Sequence, residues 1–332
     1  MAPPRVDIIV NRRAHNLVLS STNSTRGVFE ELSDALRGRR AEGRGWLHVS
    51  ESLDDLAAIV AKIRERGTEC VVLAGGDGSY MAGTTALFHA FADGLPPIGF
   101  APGGTVCTVA RNWAPYAYGQ AYARHLIECA LDEEVTVTRR PTLRVRDDRG
   151  GDRIGFIFGA GLVARFFDAY YDAQTQGRAL GYGTAARLVA RIFAGSFMSG
   201  ALANRVLTPG PARIFVDGQR QAPDAWSIIA ASVVRDLGLH MHLLYRAAES
   251  TSAFHFVASA LPPRQLSPQV GRVLLGRSLT GEGRVDVLAR EVTIELGESG
   301  APSTYVLDGD RIDARTVTVT PGPVIRYLSP SR

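Results

Sequence analysis

Cysteine is scarce in this sequence, lysine is almost absent, and long hydrophobic runs do not occur. The three cysteines, Cys70, Cys107 and Cys129, form no Cys-x-x-Cys pair, and their odd number argues against a disulfide framework. A reducing, cytoplasmic compartment is therefore expected. The most apolar run, 226–234, is too short to span a bilayer and predicts a buried strand. The start of the chain lacks the charged and apolar regions of a signal peptide.

The positive charge of the chain comes almost entirely from arginine. The formal net charge is +4, and Lys62 is the only lysine. A basic surface suits an anionic membrane, phosphate groups or nucleic acid. Charge alone does not choose between these partners, and no other feature of the sequence indicates nucleic-acid binding. We expect no nucleic-acid partner.

The length of 332 residues fits two domains of ordinary size. In residues 1–134, short apolar strands alternate with helices of 3.6-residue periodicity. The predicted strands are 6–10, 46–49, 70–74 and 97–100, and the predicted helices are 28–36, 53–63, 80–91 and 116–131. Such alternation predicts a doubly wound α/β domain, a parallel sheet covered by helices on both faces.

Residues 135–332 have a different pattern, in which short β-rich segments dominate. The predicted strands include 226–234, 239–244, 273–275, 285–288, 292–296, 304–307 and 316–320, and one helical stretch covers roughly 164–193. The pattern predicts a mainly antiparallel β-sandwich domain. Its last strands are candidates to return to the first domain.

A glycine-rich loop follows the strand 70–74 and reads Gly75-Gly76-Asp77-Gly78-Ser79. Three glycines around one aspartate allow a tight turn that directs several amides at one point, and a helix follows. Amides at a helix N-terminus bind phosphate oxygens. The loop is neither a Walker loop, which requires Gly-Lys-Ser/Thr, nor a Gly-x-Gly-x-x-Gly loop, because Met81 stands at the third glycine position.

Two further segments could contribute to the same site. A second glycine loop, Ala101-Pro102-Gly103-Gly104-Thr105, follows the strand 97–100, and the Thr105 hydroxyl could bind a phosphate oxygen. Near the end of the chain, Val306-Leu307-Asp308-Gly309-Asp310 has the composition of a hairpin turn. By itself, that segment predicts no more than a turn.

Taken together, these segments resemble the diacylglycerol kinase catalytic-domain family, lipid kinases that include bacterial diacylglycerol kinases and sphingosine kinases. The family's Gly-Gly-Asp-Gly-Thr motif corresponds to 75–79, and its Pro-x-Gly-Thr-x-Asn-Asp-x-Ala-Arg motif corresponds to 102–111. Residues 156–162 resemble the strand and glycine turn that open the family's second domain. The late Asp-Gly-Glu motif appears as Asp308-Gly309-Asp310.

The resemblance implies an ATP-dependent kinase that transfers the γ-phosphate to the hydroxyl of a lipid, such as diacylglycerol or a sphingoid base. Asp310 would accept the proton of that hydroxyl, and Asp77 and Asp308 would position Mg²⁺ or assist. The implied nucleotide-binding residues are Ser50, Gly75, Gly76, Asp77, Gly78, Ser79, Tyr80, Met81, Gly104 and Thr105. The substrate implies peripheral contact with a membrane surface. The oligomeric state stays open, with a homodimer as one option.

Departures from the family pattern keep two alternatives open. Cys107-Thr108 replaces the family's Asn-Asp pair, and the aspartates that bind a structural Mg²⁺ in some members have no clear match. The chain could therefore be a weakened or inactive relative that binds nucleotide or lipid in a regulatory role. NAD kinases share the Gly-Gly-Asp-Gly loop, but their Asn-Glu pair and Thr-Gly-Ser segment are missing here, which makes a small-molecule kinase the lesser alternative.

Two smaller features admit both a structural and a functional interpretation. His240 and His242 would lie on one face of the predicted strand 239–244 and could bind a metal, but the sequence shows no third ligand, so packing or exposure is favoured. Four aromatic residues in the predicted helix favour core packing over the wall of an acyl-chain channel. They are Phe166, Phe167, Tyr170 and Tyr171.

Overall fold

A computed structural model describes residues 4–12, 28–40, 43–91, 94–103, 106–117, 119–175, 182–197, 200–297 and 303–331. The chain folds into two compact units. The first comprises Met1–Arg140 together with Val324–Arg332, and the second comprises Pro141–Pro323. Among the described residues, no helix is both long enough and apolar enough to cross a membrane.

The first unit contains a six-stranded sheet with strand order β2-β1-β3-β4-β19-β5. All neighbouring pairs are parallel except β19 and β5, which are antiparallel. The strands are β1 (Val6–Asn11), β2 (Gly45–Ser50), β3 (Cys70–Gly75), β4 (Ile98–Pro102), β5 (Val135–Arg140) and β19 (Ile325–Pro330).

Helices of the first unit form two groups. They are α1 (Val28–Arg40), α2 (Leu53–Arg66), α3 (Asp77–Ala90), α4 (Thr108–Trp113) and α5 (Gly119–Leu131). Helix α1 packs against α5, and α2 packs against α3. Strands β2 and β3 lie on opposite sides of β1, so the direction in which the chain adds strands reverses after β2. Right-handed crossovers therefore put these two groups of helices on opposite faces of the sheet. The predicted doubly wound domain is confirmed.

Local sequence explains why these elements form where they do. All residues of β3 are buried, as expected for a central parallel strand covered on both faces. Helix α2 begins after Ser52, whose hydroxyl accepts from the Asp55 amide at 3.1 Å. The Asp55 carboxylate in turn accepts from the Glu51 amide, so the reciprocal bond reaches one residue beyond the usual capping box. The helix ends at Gly67, whose φ of 67° is the left-handed conformation that favours glycine.

Strand β19 completes the core of the first unit although it lies far along the chain. Its Tyr327 is fully buried and packs edge-to-face against Phe100 of β4 and Trp113 of α4, with ring centroids 5.5 and 5.1 Å apart. Phe100 also stacks on Tyr80 of α3 at 4.3 Å. Four rings from four elements therefore form one aromatic core in the first unit.

The second unit contains two antiparallel sheets. One has the order β10-β9-β15-β18-β6-β7, with β11 paired to β9, and the other has the order β14-β13-β12-β8-β16-β17. The strands are β6 (Leu143–Asp147), β7 (Asp152–Gly155), β8 (Ile157–Gly161), β9 (Gly210–Val216), β10 (Gln219–Gln221), β11 (Ala225–Trp226), β12 (Ile228–Ser232), β13 (Phe254–Ser259), β14 (Arg284–Ala289), β15 (Val292–Leu296), β16 (Ser303–Leu307), β17 (Asp310–Ala314) and β18 (Thr316–Pro321). The predicted antiparallel β character is confirmed.

Helices of the second unit surround a hydrophobic cluster of their own. They are α6 (Leu162–Thr175), α7 (Tyr182–Phe197), α8 (Ala201–Leu207), α9 (Pro263–Leu266) and α10 (Val270–Leu274). The cluster joins Ile192 of α7, Val206 of α8 and Val273 of α10 to Ile228 and Val257 of the sheet. It is the second core of the chain.

Two predicted strands of this unit are wrong. Residues 239–244 form turns, because Leu239 and His240 adopt left-handed conformations with φ of 55° and 56°, which a strand does not contain. Residues 273–275 belong to α10 and the turn after it. Short apolar runs do not distinguish a strand from one turn of helix.

Candidate functional site

Polar residues end two of the parallel strands of the first unit, β1 and β2, at their carboxyl ends. Asn11 ends β1 and Ser50 ends β2, and the two residues are register partners. The Asn11 amide donates to the Ser79 hydroxyl at 2.9 Å, which links this edge to the glycine loop after β3. Ser50 is buried, with its hydroxyl 3.5 Å from the carbonyl of Val10. Of the predicted nucleotide residues, Ser50 and the first glycine loop therefore share one sheet edge.

The glycine loop after β3 leads directly into the N-terminus of helix α3. Gly76 is the residue before the helix, and Asp77 is its first residue. The amides of Ser79 and Tyr80 both donate to the Gly76 carbonyl, so the amides of Asp77 and Gly78 precede the helix's own hydrogen bonds. Gly76 to Ser79 are partly accessible. This geometry is suited to phosphate oxygens, which helix N-termini attract through their amides and the helix dipole.

Asp77 connects the two glycine loops. Its carboxylate oxygens accept from the backbone amides of Thr108 and Val109 at 2.8 and 2.9 Å. Part of the Asp77 residue is accessible, but burial of its carboxyl raises the pKa, against hydrogen bonds from Thr108 and Val109 and the charge of Arg111, which lower it. Asp77 thus holds the N-terminus of α4 beside that of α3. A role with Mg²⁺ stays a prediction.

Cys107 marks the chain's main departure from the family pattern, and the structure shows what its position requires. The residue is buried and adopts the left-handed conformation, with φ of 50° and ψ of 51°. Asparagine occupies this conformation several times more readily than most residues, which accounts physically for the family's asparagine. The Cys107 thiol lies 3.5 Å from the Gly75 carbonyl, which also accepts from the Gly103 amide at 2.8 Å. The two loops therefore stay joined despite the substitution.

The remaining predicted nucleotide residues are placed differently. Tyr80 and Met81 are buried in the core, where Tyr80 stacks on Phe100. The Tyr80 side chain therefore faces the sheet rather than the loop, and the Met81 side chain is not accessible to a ligand. Gly104 and Thr105 lie outside the described residues.

In the second unit, Asp308 and Gly309 form the tight turn between β16 and β17. Their φ angles of 51° and 93° are those of a hairpin turn that favours Asp-Gly. The buried Asp308 carboxylate accepts from the amides of Phe156 and Ile157 at 3.0 and 2.9 Å. A Cβ atom at Gly155 would lie 2.6 Å from an Asp308 oxygen, so this close approach requires glycine. The sequence analysis did not identify Gly155 as part of this arrangement.

Asp310, the predicted proton acceptor, is the first residue of β17 and is exposed as a residue. Surrounding protein atoms nevertheless desolvate its carboxyl and raise the pKa, whereas the charge of Arg153 lowers it. A raised pKa is what a carboxylate base near neutral pH requires. Asp308 is buried and accepts two backbone amides, whereas Asp310 is exposed, although only Gly309 separates the two residues.

Helix α6 packs beside this turn and supplies aromatic side chains to it. The Tyr171 hydroxyl donates to the Gly309 carbonyl at 3.4 Å. Arg311 lies over the Tyr171 ring at 5.1 Å and pairs with Asp168 at 2.8 Å. Phe166 instead packs against the hydrophobic cluster of the unit. The aromatic residues of α6 thus include core residues and residues beside the Asp308–Asp310 turn.

A buried polar network joins the two sheets of the second unit. The Asp147 carboxylate accepts from Arg153 at 2.6 Å and from the Tyr305 hydroxyl at 2.8 Å. Burial raises the pKa of Asp147, but the hydrogen bonds from the Gly151 amide, Tyr305 and Arg153 outweigh it and lower the pKa overall. The network fixes Arg153, whose charge acts on Asp310. Sequence reasoning missed it, since only a run of arginines was visible there.

Comparison with known proteins finds a family match within the first unit. Residues 8–137 match the family model described as the diacylglycerol kinase catalytic domain. No curated protein sequence matches the chain. The crystal structure of a diacylglycerol kinase from Bacillus anthracis str. Sterne is similar over 99% of this chain and 98% of its own, with 14% identity and a TM-score of 0.61.

A second crystal structure from the same strain, whose assignment as a diacylglycerol kinase is provisional, gives a TM-score of 0.65 at 15% identity, covering 99% of this chain and 97% of that one. At such identities, the similarity of the structures establishes the fold. The match of residues 8–137 to the family supports a phosphotransferase.

Proposed function

We infer that this chain, which carries a diacylglycerol kinase catalytic domain at residues 8–137, uses ATP to phosphorylate the hydroxyl group of a lipid. The observation that carries the proposal is the N-terminus of helix α3 at Gly76–Ser79, at the carboxyl edge of the parallel sheet within the matched domain. Ligands of open α/β sheets bind at this edge.

The first unit would hold the triphosphate through main-chain atoms. The amides of Asp77 and Gly78 begin a helix, and the glycines on either side of the aspartate have no side chains of their own to cover these amides. Phosphate groups gain both hydrogen bonds and a favourable helix dipole there. Asp77 contributes indirectly, because it fixes the second loop against the first.

Mg²⁺ accompanies ATP in phosphoryl transfer, where it neutralises charge on the phosphates. Asp77 and Asp308 fit the ion poorly as direct ligands, because each already accepts two backbone amides and only the remaining lone pairs of its carboxylate could coordinate a metal.

Asp310 would act as the general base for the acceptor. Phosphoryl transfer depends mainly on positioning and charge, and a carboxylate within reach of the acceptor hydroxyl removes its proton as the oxygen attacks phosphorus. The raised pKa of Asp310 and its exposed position at the start of β17 support this role. Aspartate is one methylene shorter than the family's glutamate, so the acceptor must come correspondingly closer.

A lipid acceptor is favoured by the apolar surroundings of the turn. Phe167 would lie 3.9 Å from a side chain at Gly309, and Tyr171 contacts the Gly309 carbonyl. These rings offer apolar surface next to the proposed base. Diacylglycerol and sphingoid bases both combine an apolar chain with a hydroxyl, and such substrates imply peripheral contact with a membrane.

The test compares Asp310→Asn with Asp313→Asn, which changes an exposed aspartate on the same strand. Each protein is incubated with Mg²⁺ and γ-labelled ATP over mixed micelles that contain diacylglycerol or a sphingoid base. We expect labelled lipid from the wild type and Asp313→Asn. Asp310→Asn should lose about 10²–10⁴-fold in kcat, the range of general-base catalysis.

The pH dependence gives an independent readout. The reactive form of Asp310 is deprotonated, and its pKa is raised above the ordinary aspartate value, so kcat should rise with pH through that raised pKa and then level off. Asp310→Asn should abolish this rise. An Asp310→Asn enzyme with unchanged kcat would refute the role of Asp310, whereas nucleotide binding without any labelled lipid would favour the regulatory alternative.

A further inference from the structure

Asp236, His240 and His242 come together in the turn that follows strand β12 of the second unit. Their ligand atoms all lie within 4.8 Å of one another. One Asp236 oxygen is 3.5 Å from the His240 Nδ1 atom and 3.8 Å from the His242 Nε2 atom. The sequence offered two histidines without a third ligand, and the fold brings an aspartate to them.

The backbone conformation of the turn creates this cluster. Leu239 and His240 both adopt left-handed φ angles, so the chain reverses within a few residues instead of continuing as a strand. The Leu237 amide donates to the Met241 carbonyl, and the Met241 amide donates to the Gly238 carbonyl, both at 3.0 Å. These bonds close the turn with its polar side chains on one side.

Apolar contacts anchor the turn to the body of the unit. Leu237 and Met241 pack against the hydrophobic cluster around helices α7, α8 and α10. The His242 amide donates to the Val273 carbonyl of α10 at 3.1 Å. The positions of the three polar residues are therefore set by the hydrophobic cluster and by helix α10.

The two distances from Asp236 to the histidines match a metal site better than a network of hydrogen bonds. Four ligands around Zn²⁺ at about 2.0–2.1 Å from the metal lie ~3.3 Å from each other. The Asp236–His240 and Asp236–His242 distances of 3.5 and 3.8 Å are near this value, yet they are too long for good hydrogen bonds. The other Asp236 oxygen accepts from the Gly238 amide at 2.8 Å, as a supporting contact that orients a ligating carboxylate.

We propose that Asp236, His240 and His242 form a binding site for a divalent transition metal, with Zn²⁺ as the preferred ion. Two imidazoles and one carboxylate suit Zn²⁺ and discriminate against Mg²⁺ and Ca²⁺, which take oxygen ligands. The three side chains leave a fourth position for water. Because the His240 side chain is 82% exposed, the site is accessible from solvent.

A metal bound at this site would connect the two ends of the turn. Bound metal would link Asp236 at the start of the turn to His242 at its end, and so restrain residues 236–242. Metal binding is independent of the proposed kinase chemistry, since none of the three residues takes part in it. The test can therefore succeed or fail without reference to kinase activity.

The test measures Zn²⁺ binding to untagged, metal-depleted full-length protein by isothermal titration calorimetry. The variants are Asp236→Asn, His240→Asn and His242→Ala, with His89→Ala as a control at an exposed histidine outside the cluster. Asparagine at 240 tolerates the left-handed conformation, so that variant should fold normally. Thermal melts of the metal-free proteins check this.

We expect one Zn²⁺ per chain in the wild type and His89→Ala, with a higher Tm when Zn²⁺ is present. Each cluster variant should weaken binding by at least about 100-fold, because loss of even an outer-shell partner costs about 10–100-fold. Millimolar Mg²⁺ should not displace the ion. Absence of Zn²⁺ binding by the wild type would overturn the proposal, as would equal binding by His240→Asn and His89→Ala.

Discussion

At the scale of single residues, three aspartates with similar sequence surroundings have different tasks. Asp77 and Asp308 each accept two consecutive backbone amides from another segment, whereas Asp310 lies at the exposed start of a strand. A family resemblance groups all three as candidates for catalysis. Their hydrogen bonds separate two residues that hold loops in place from one that is positioned to accept a proton.

Replacement of Asp77 by asparagine tests this division. Asparagine keeps one carbonyl oxygen but presents an NH₂ group to a second backbone amide, so either Thr108 or Val109 loses its acceptor. Removal of a buried charge offsets part of this loss, since burial raises the Asp77 pKa. We expect the free energy of unfolding to fall by about 1–3 kcal/mol, the cost of a buried unsatisfied donor.

Urea unfolding of Asp77→Asn beside Asp54→Asn provides the measurement. Asp54 is an exposed aspartate in the first turn of α2 and should contribute less than about 1 kcal/mol through the helix dipole. Equal midpoints for the two variants would show that Asp77 does not hold the two loops together.

At the scale of elements, the sequence predicts those helices and strands that are determined by local periodicity and by burial. Strands such as β3 have no polar face, and the capped start of α2 is visible in Ser52 and Asp55. The segment 239–244 was mispredicted because its apolar residues alternate like those of a strand, while two left-handed residues reverse the chain. The pairing of Asp77 with Thr108 and Val109 joins residues about thirty positions apart, a contact that no local pattern encodes.

Strand β19 shows how much the parallel sheet depends on a distant segment. It inserts between β4 and β5, where its Tyr327 contacts Phe100 and Trp113. Tyr327→Ala should destabilise the first unit by about 3–5 kcal/mol, as expected for loss of a large buried aromatic side chain. Arg326→Ala, at an exposed neighbouring position, is the control.

Thermal and urea unfolding, followed by tryptophan fluorescence, measure the effect of these substitutions. Trp113 lies next to Tyr327 and reports on the first unit, with Trp46 of β2 as a second probe there. If Tyr327→Ala and Arg326→Ala unfold at the same midpoint, the aromatic core does not stabilise the sheet as the burial of Tyr327 indicates.

At the scale of the whole molecule, the chain crosses between its two units twice, at Arg140–Pro141 and at Pro323–Val324. Both termini therefore belong to the first unit, which has the parallel sheet and the glycine loops. The second unit has antiparallel sheets, its own hydrophobic cluster and the Asp308–Asp310 turn. The two units differ in construction, and the proposal assigns nucleotide binding to the first alone.

This assignment predicts where a nucleotide protects the protein. With a non-hydrolysable ATP analogue and Mg²⁺, hydrogen exchange should slow chiefly at the first turn of α3 and around Asp77 and Thr108. At a ligand concentration 100 times Kd, the unit that binds gains about 2.7 kcal/mol. The test is a pair of substitutions at Ser79.

Ser79→Asp should abolish the protection, because a carboxylate at the helix N-terminus repels phosphate while still accepting from Asn11. Ser79→Asn adds no charge and should retain most of the protection. Protection confined to the second unit, or unchanged binding by Ser79→Asp, would place the nucleotide elsewhere.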